Sequence, residues 1–205
     1  ASVLRYDKLK SWDANGKELA SRMELDGDEL SLVVDDAEAV YPVTVDPTFT
    51  QVKKLLASDG GANDYFGFSV AVSGNTAIVG AFSDGNQGGA QQGSAYIFER
   101  NSGGSNNWNE VKKLTASDAA NFDFFGYSVA IEGDTVIVGA PDQSVFSNSA
   151  GAIYIFERNE GGANNWGQVR KRTPSDGVVK DYFGYDVSIS DDTIIVGAPY
   201  ELSTT

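Results

Sequence analysis

Asp59 and Asp64 stand five residues apart just before a Phe-Gly pair, and the same spacing returns at Asp118 and Asp123 and at Asp176 and Asp181. Two carboxylates so placed can share a cation or divide the work of a general acid and a general base. An enzyme, however, needs one special site, and this pair occurs three times alike. Repetition favours hydrogen bonding within turns, which Asp side chains do well. A glycan-processing enzyme with carboxylate catalysis would show a single, non-repeated carboxylate pair, and none is visible. The 205 residues include no cysteine and no histidine. Disulfides, thiolate or imidazole zinc sites, Ser-His-Asp triads and Cys-His dyads are thereby excluded. No catalytic, cofactor-binding or metal-ligating residue is assigned, no cofactor is expected, and the chain reads as a non-enzyme.

Trp108 and Trp166 each follow an Asn-Asn pair and could stack on sugars, but a Trp repeated at a strand start is more often core. Lys53-Lys54, Lys112-Lys113 and Arg170-Lys171-Arg172 place a basic cluster on the last strand of each repeat unit, where lysine guards an exposed sheet edge against aggregation. The segments 82–92 and 141–150 are polar and differ between copies. They are either the place where a partner is recognised or idle connectors.

Fifteen basic against twenty-nine acidic residues give a formal charge of −14. Such a surface repels phosphate backbones, so nucleic acid is not a partner; it attracts cations or basic partners, or simply keeps a repetitive β-protein in solution. No apolar run approaches the roughly 18 residues of a membrane-spanning helix, and Ala1 to Tyr6 lacks the pattern of a signal sequence. No membrane insertion is expected.

These residues are carried by a repeat of 58 or 59 residues. Phe66-Gly67, Phe125-Gly126 and Phe183-Gly184 recur at intervals of 59 and 58, as do Gly80-Ala81, Gly139-Ala140 and Gly197-Ala198. Tyr96-Ile97-Phe98-Glu99-Arg100 returns 58 residues later at Tyr154 to Arg158, so the one-residue difference lies between Gly80 and Tyr96, in a loop. Within one copy, Phe125–Ile131 alternates, Glu132-Gly133-Asp134 turns, and Thr135–Val138 is β-branched, which predicts a hairpin of strands A and B. Ala152–Glu157 predicts strand C, and Trp166–Arg172 strand D. Gly126 and Gly139 are expected where another backbone comes close. Four antiparallel strands per repeat are the pattern of an all-β propeller blade.

At Lys113-Leu114-Thr115-Ala116-Ser117-Asp118, Phe125-Gly126-Tyr127-Ser128-Val129-Ala130, Val138-Gly139-Ala140-Pro141 and Ala152 to Arg158, the sequence resembles the FG-GAP repeat family, and its bacterial branch in particular. The resemblance covers residues 49 to 205. It implies integrin-α-like β-propeller blades and an extracellular or bacterial cell-surface location. In integrin-like copies the hairpin between the FG and GAP strands carries a calcium loop, which needs six to eight oxygen ligands. Ser73-Gly74-Asn75, Glu132-Gly133-Asp134 and Ser190-Asp191-Asp192 are too short and supply too few carboxylates, so that site is not carried over.

Residues 1–48 fall outside the repeat. Leu4–Trp12, Glu18–Leu25, Leu30–Val34 and Tyr41–Val45 alternate between Asp13-Ala14-Asn15-Gly16 and Asp26-Gly27-Asp28 turns, which predicts a small β-meander, the end of a larger upstream domain. Residues 49–205 then divide into a lone D strand (49–56), a blade (57–115), a second blade (116–173) and a partial blade (174–205). The expected function is a non-enzymatic binding or adhesion module with a protein or glycan ligand at the cell surface. The last repeat lacks its strand C, which is expected in further chain of a longer protein; the alternative is that another subunit supplies it, making the chain a structural subunit that self-associates through open blade edges into an extracellular filament.

Overall fold

The computed structural model describes residues 2–26, 29–85, 91–141 and 150–200. It divides into two compact units, Ser2–Lys54 and Leu55–Thr205. Among the described residues fifteen strands make up the fold. The first unit holds β1 (Ser2–Trp12), β2 (Glu18–Leu19), β3 (Ser21–Asp26), β4 (Glu29–Val34) and β5 (Thr44–Lys54). In the second unit lie β6 (Val70–Ser73), β7 (Thr76–Ala81), β8 (Ser94–Arg100), β9 (Trp108–Leu114), β10 (Ser128–Glu132), β11 (Thr135–Ala140), β12 (Ala152–Glu157), β13 (Gly167–Arg172), β14 (Asp186–Ser190) and β15 (Thr193–Gly197).

The first unit is not a simple meander. The expected strand Glu18–Leu25 breaks at Ala20: β2 pairs with β1, while β3 pairs with β4 in a separate hairpin. Asp13 closes the turn after β1 by accepting the backbone N–H groups of Asn15 and Lys17, each at 2.9 Å. The expected boundary after residue 48 falls inside β5, which pairs antiparallel with β1 along its whole length.

In the second unit the order is β6-β7-β8-β9 and β10-β11-β12-β13, two antiparallel four-stranded blades with strand D at the edge, followed by the β14-β15 hairpin. Two-residue turns join β6 to β7, β10 to β11 and β14 to β15. Their first residues, Gly74, Gly133 and Asp191, have positive φ, as tight hairpins demand. Strand A begins at Ser128 rather than Phe125, because Gly126 and Gly184 lie at φ +89° and +94° and bend the chain just before it.

Neighbouring blades bury each other's faces. Ile78 and Ile97 of the first blade share a core with Val129, Ile131, Val136, Tyr154 and Phe156 of the second. The opposite face of the second blade, with Ala130, Ile137 and Ile153, packs on Val187, Ile189, Ile194 and Val196 of the last hairpin. Because the units repeat, the chain contains its own control. Val129 and Ile131 are 6% and 8% exposed, whereas Val70 and Val72 at the same places in the first blade are 58% and 67% exposed. Ile137 is fully buried, and its counterpart Ile195 is 70% exposed.

The FG and GAP glycines lock these layers together. Within each repeat the FG glycine N–H donates to the GAP glycine carbonyl: Gly67 to Gly80 at 3.0 Å, Gly126 to Gly139 at 3.0 Å and Gly184 to Gly197 at 3.1 Å. Between repeats, a Cβ on Gly80 would overlap the carbonyl oxygen of Gly126, and one on Gly139 that of Gly184. Gly80→Ala is expected to destabilise the protein by about 3 kcal/mol or more, because the blocking atom is backbone and cannot move aside. Ile137→Ala is expected to cost about 2–5 kcal/mol and Ile195→Ala under about 1 kcal/mol. Urea denaturation of the three variants checks all of these values.

Candidate functional site

The repeated acidic pair does two separate structural tasks. Its second member closes a turn: Asp123 accepts the Ala120 N–H at 2.7 Å, Asp181 accepts the Val178 N–H at 2.6 Å, and Asp64 does the same for Gly61. Its first member meets strands C and D. Tyr154 and Lys171 face each other across β12 and β13. The Tyr154 hydroxyl donates to Asp118 at 2.8 Å, and the Lys171 ammonium lies 2.7 Å from the same carboxylate. In the first blade Tyr96 and Lys113 hold Asp59 in the same way, at 2.9 and 2.7 Å. There Asp84 is added, 2.8 Å from the tyrosine oxygen and 2.6 Å from the lysine.

Electrostatics follow from this wiring. The hydrogen bond from Lys171, aided by Tyr154, holds the Asp118 carboxyl below the usual carboxylate range against the opposing effect of burial. Lys113 does the same for Asp59. Burial works against ionisation of Asp84, yet Lys113, Ser94 and Tyr96 outweigh it and its carboxyl is also held low. Burial, together with the carboxylate beside it, pushes the Tyr154 hydroxyl up to about 12. Around Asp59, Asp64, Asp84 and Lys113 opens a cleft of about 360 Å³. Its Asp59 and Asp84 are more acidic than usual, the opposite of what a general acid requires. Among the described residues no group of three or more acidic side chains is placed to hold a metal ion.

The tryptophans are core. Trp108 and Trp166 are both buried, and the Arg158 guanidinium lies 4.5 Å from the centre of the Trp166 ring. Arg158 also ties the second blade to the first, pairing with Glu99 and donating to Thr76 Oγ1 at 2.8 Å as well as pairing with Asp134 in its own blade. The basic clusters do more than guard edges. Lys113 and Lys171 reach inward to aspartates, while Lys112 donates to Asn165 of the next blade at 2.9 Å. Of the copy-variable loops 82–92 and 141–150, residues 86–90 and 142–149 lie outside the described residues, while Phe82 and Asp84 of the first are placed.

One surface was missed by the sequence reading. The residue after each FG pair is aromatic, and the structure sets these rings in a row across three repeats: Phe68 to Tyr127 at 4.9 Å and Tyr127 to Tyr185 at 4.9 Å between centroids. Phe82 joins the row, 4.6 Å from Phe68 and 4.9 Å from Tyr65. Tyr65, Phe68 and Tyr185 remain 55%, 51% and 39% exposed. Tyr65, Phe124 and Tyr182, each just before FG, have φ of 55° to 58°, a conformation uncommon for aromatic residues. The signal was present in the sequence as Phe, Tyr and Tyr at one repeat position, but alternation alone did not say which face that position takes.

A family model described as FG-GAP repeat matches residues 49–98, 108–156 and 166–203, more than half of the chain. The chain belongs to the FG-GAP repeat family. No curated protein matches it. The Phe-Gly and Gly-Ala motifs that name FG-GAP repeats are here the two ends of one hydrogen bond, and the Asp-Tyr-Lys arrangement fastens the rest of each blade to them.

Because the folded-state acidity of Asp59, Asp84 and Asp118 is strengthened, each stabilises the fold above its ordinary value of 3.8, and that contribution is lost as pH falls through its lower folded value. Thermal stability is expected to drop as pH falls below about 4. Asp118→Asn is expected to cost under about 1 kcal/mol at neutral pH, since this pair is half exposed, and to flatten the acid limb. Melting curves from pH 7 to pH 2 measure both effects.

Proposed function

We propose that the FG-GAP blades form a non-enzymatic binding or adhesion module, acting outside the cell or at its surface, with a protein or glycan as ligand. FG-GAP repeats are typical of extracellular and surface proteins, and membership of that family supports the location. The observation that carries the binding reading is the exposed aromatic row. In the two complete blades Asp59 and Asp118 are engaged by a tyrosine and a lysine, whereas Tyr65, Phe68 and Tyr185 keep large ring area in solvent beside a strained backbone. Exposed aromatics grouped across several repeats mark contact surfaces more often than chance exposure does. A second reading is a self-associating structural subunit of a filament, favoured by the solvent-exposed apolar faces at Val70, Val72 and Ile195.

A glycan and matrix-protein array probed with the chain is expected to show a binding partner. Phe68→Ser combined with Tyr185→Ser is expected to weaken that binding by about tenfold or more with an unchanged circular dichroism spectrum. Undiminished binding by the double variant would remove the aromatic row as the contact surface.

A further inference from the structure

The aromatic row and the cleft of the first blade are built on the same two segments. Asp64 and Tyr65 run beside Phe82, Ser83 and Asp84. The Ser83 N–H donates to the Asp64 carbonyl at 3.3 Å, and the Tyr65 and Phe82 rings stack with centroids 4.9 Å apart and planes 24° from parallel. From these segments the rings join the row, while Asp64 and Asp84 line the cleft. The row does not depend on an uncovered blade face. Phe124 and Tyr127 belong to the second repeat, which has a repeat packed on each side, and both are only partly buried.

Ring orientation and charge narrow the class of ligand. A sugar stacks by laying one face flat on one ring, and a chain of sugars needs successive rings turned to a common plane. Beyond the Tyr65–Phe82 pair the rings are inclined: Phe68 to Phe82 by 70°, Phe68 to Tyr127 by 51° and Tyr127 to Tyr185 by 48°. A notch between inclined rings takes a single side chain, and a cation gains from each ring face it meets. Asp64, Asp84, Asp123 and Asp186 stand within two positions of a ring of the row, and no lysine or arginine does. In the cleft Asp59, Asp64 and Asp84 outnumber Lys113, which Asp59 and Asp84 already hold at 2.7 and 2.6 Å. A neutral glycan gains nothing from that field and an anionic one is repelled, whereas a basic peptide is drawn in.

We propose that the aromatic row binds a basic polypeptide segment, whose apolar side chains seat in the notches of the row and whose arginine or lysine reaches the Asp64 and Asp84 carboxylates in the cleft. The inference rests on the binding reading of the row and names its ligand class. Arginine is the better fit, since its planar fork engages a carboxylate bidentately and its face lies against an aromatic ring. The cleft, at about 360 Å³, has room for one such side chain.

Fluorescence anisotropy with the full chain tests this. The probes are labelled peptides of equal length in which arginine alternates with leucine, glutamate with leucine, or arginine with serine, and labelled oligomers of glucose and of N-acetylglucosamine. The arginine–leucine peptide is expected to bind, the glutamate–leucine peptide and the sugars not at all, and the arginine–serine peptide about tenfold more weakly than the first. Tyr65→Ser and Asp84→Asn are each expected to weaken the arginine–leucine peptide about fivefold or more, with Asp64→Asn repeating the test at the neighbouring carboxylate. Asp191→Asn removes the same charge at the far end of β14 from Tyr185 and is expected to change binding by less than about twofold. Circular dichroism checks the fold of each variant. No binding of the arginine–leucine peptide, or equal losses with Asp84→Asn and Asp191→Asn, would overturn the basic-peptide assignment and leave the row itself standing. Binding of a sugar oligomer that Tyr65→Ser removes would overturn it in favour of a glycan. Peptide binding that Tyr65→Ser leaves unchanged would overturn it too, and only undiminished array binding by the Phe68→Ser, Tyr185→Ser variant would also remove the row.

Discussion

The contact on which the blades depend is backbone against backbone, at glycine. Gly126 donates its N–H to the Gly139 carbonyl of its own repeat, and its own carbonyl fills the space beside Gly80 of the preceding one. Any side chain at Gly80 or Gly139 would separate two sheets whose apolar faces are otherwise in contact. The spacing between blades is therefore set by the absence of atoms. The Ile, Val and Phe residues that supply the burial free energy can do so only because the glycines let the sheets approach. Parallel bridges from Gly93 to Phe125 and from Gly151 to Phe183 extend the contact toward the loops.

Outside that contact, charge is used as a fastening. Each complete blade turns one aspartate from the inter-repeat loop onto a tyrosine of strand C and a lysine of strand D, so a loop, a middle strand and an edge strand are held at one point. Opposed charges with a hydroxyl between them hold position well while contributing modestly to stability at half exposure. Asp59 and Asp118 are thus engaged in hydrogen bonds and ion pairs of the fold, while the rings of Tyr65, Phe68 and Tyr185 stay in solvent.

The first blade exposes Val70 and Val72; the last hairpin exposes Ile195, and among the described residues the edge of β15 away from β14 is unpaired. An unpaired edge invites strand addition.

The sequence by itself determined the blade: strand types, hairpin turns, the copy number and the buried tryptophans could be read from repeat spacing, because local alternation and turn chemistry are properties of neighbouring residues. Spacing also marked the glycines as places of close approach. Tertiary structure decided which backbone approaches them, since Gly80 and Gly126 are neighbours only after two sheets stack. It decided that the aspartate pairs part company, one member to a turn and the other to Tyr and Lys more than thirty residues away. Likewise the row from Phe68 through Tyr127 to Tyr185 and the pairing of β1 with β5 exist only between segments far apart in the chain. Periodicity along one segment carries no information about which distant segment will lie beside it.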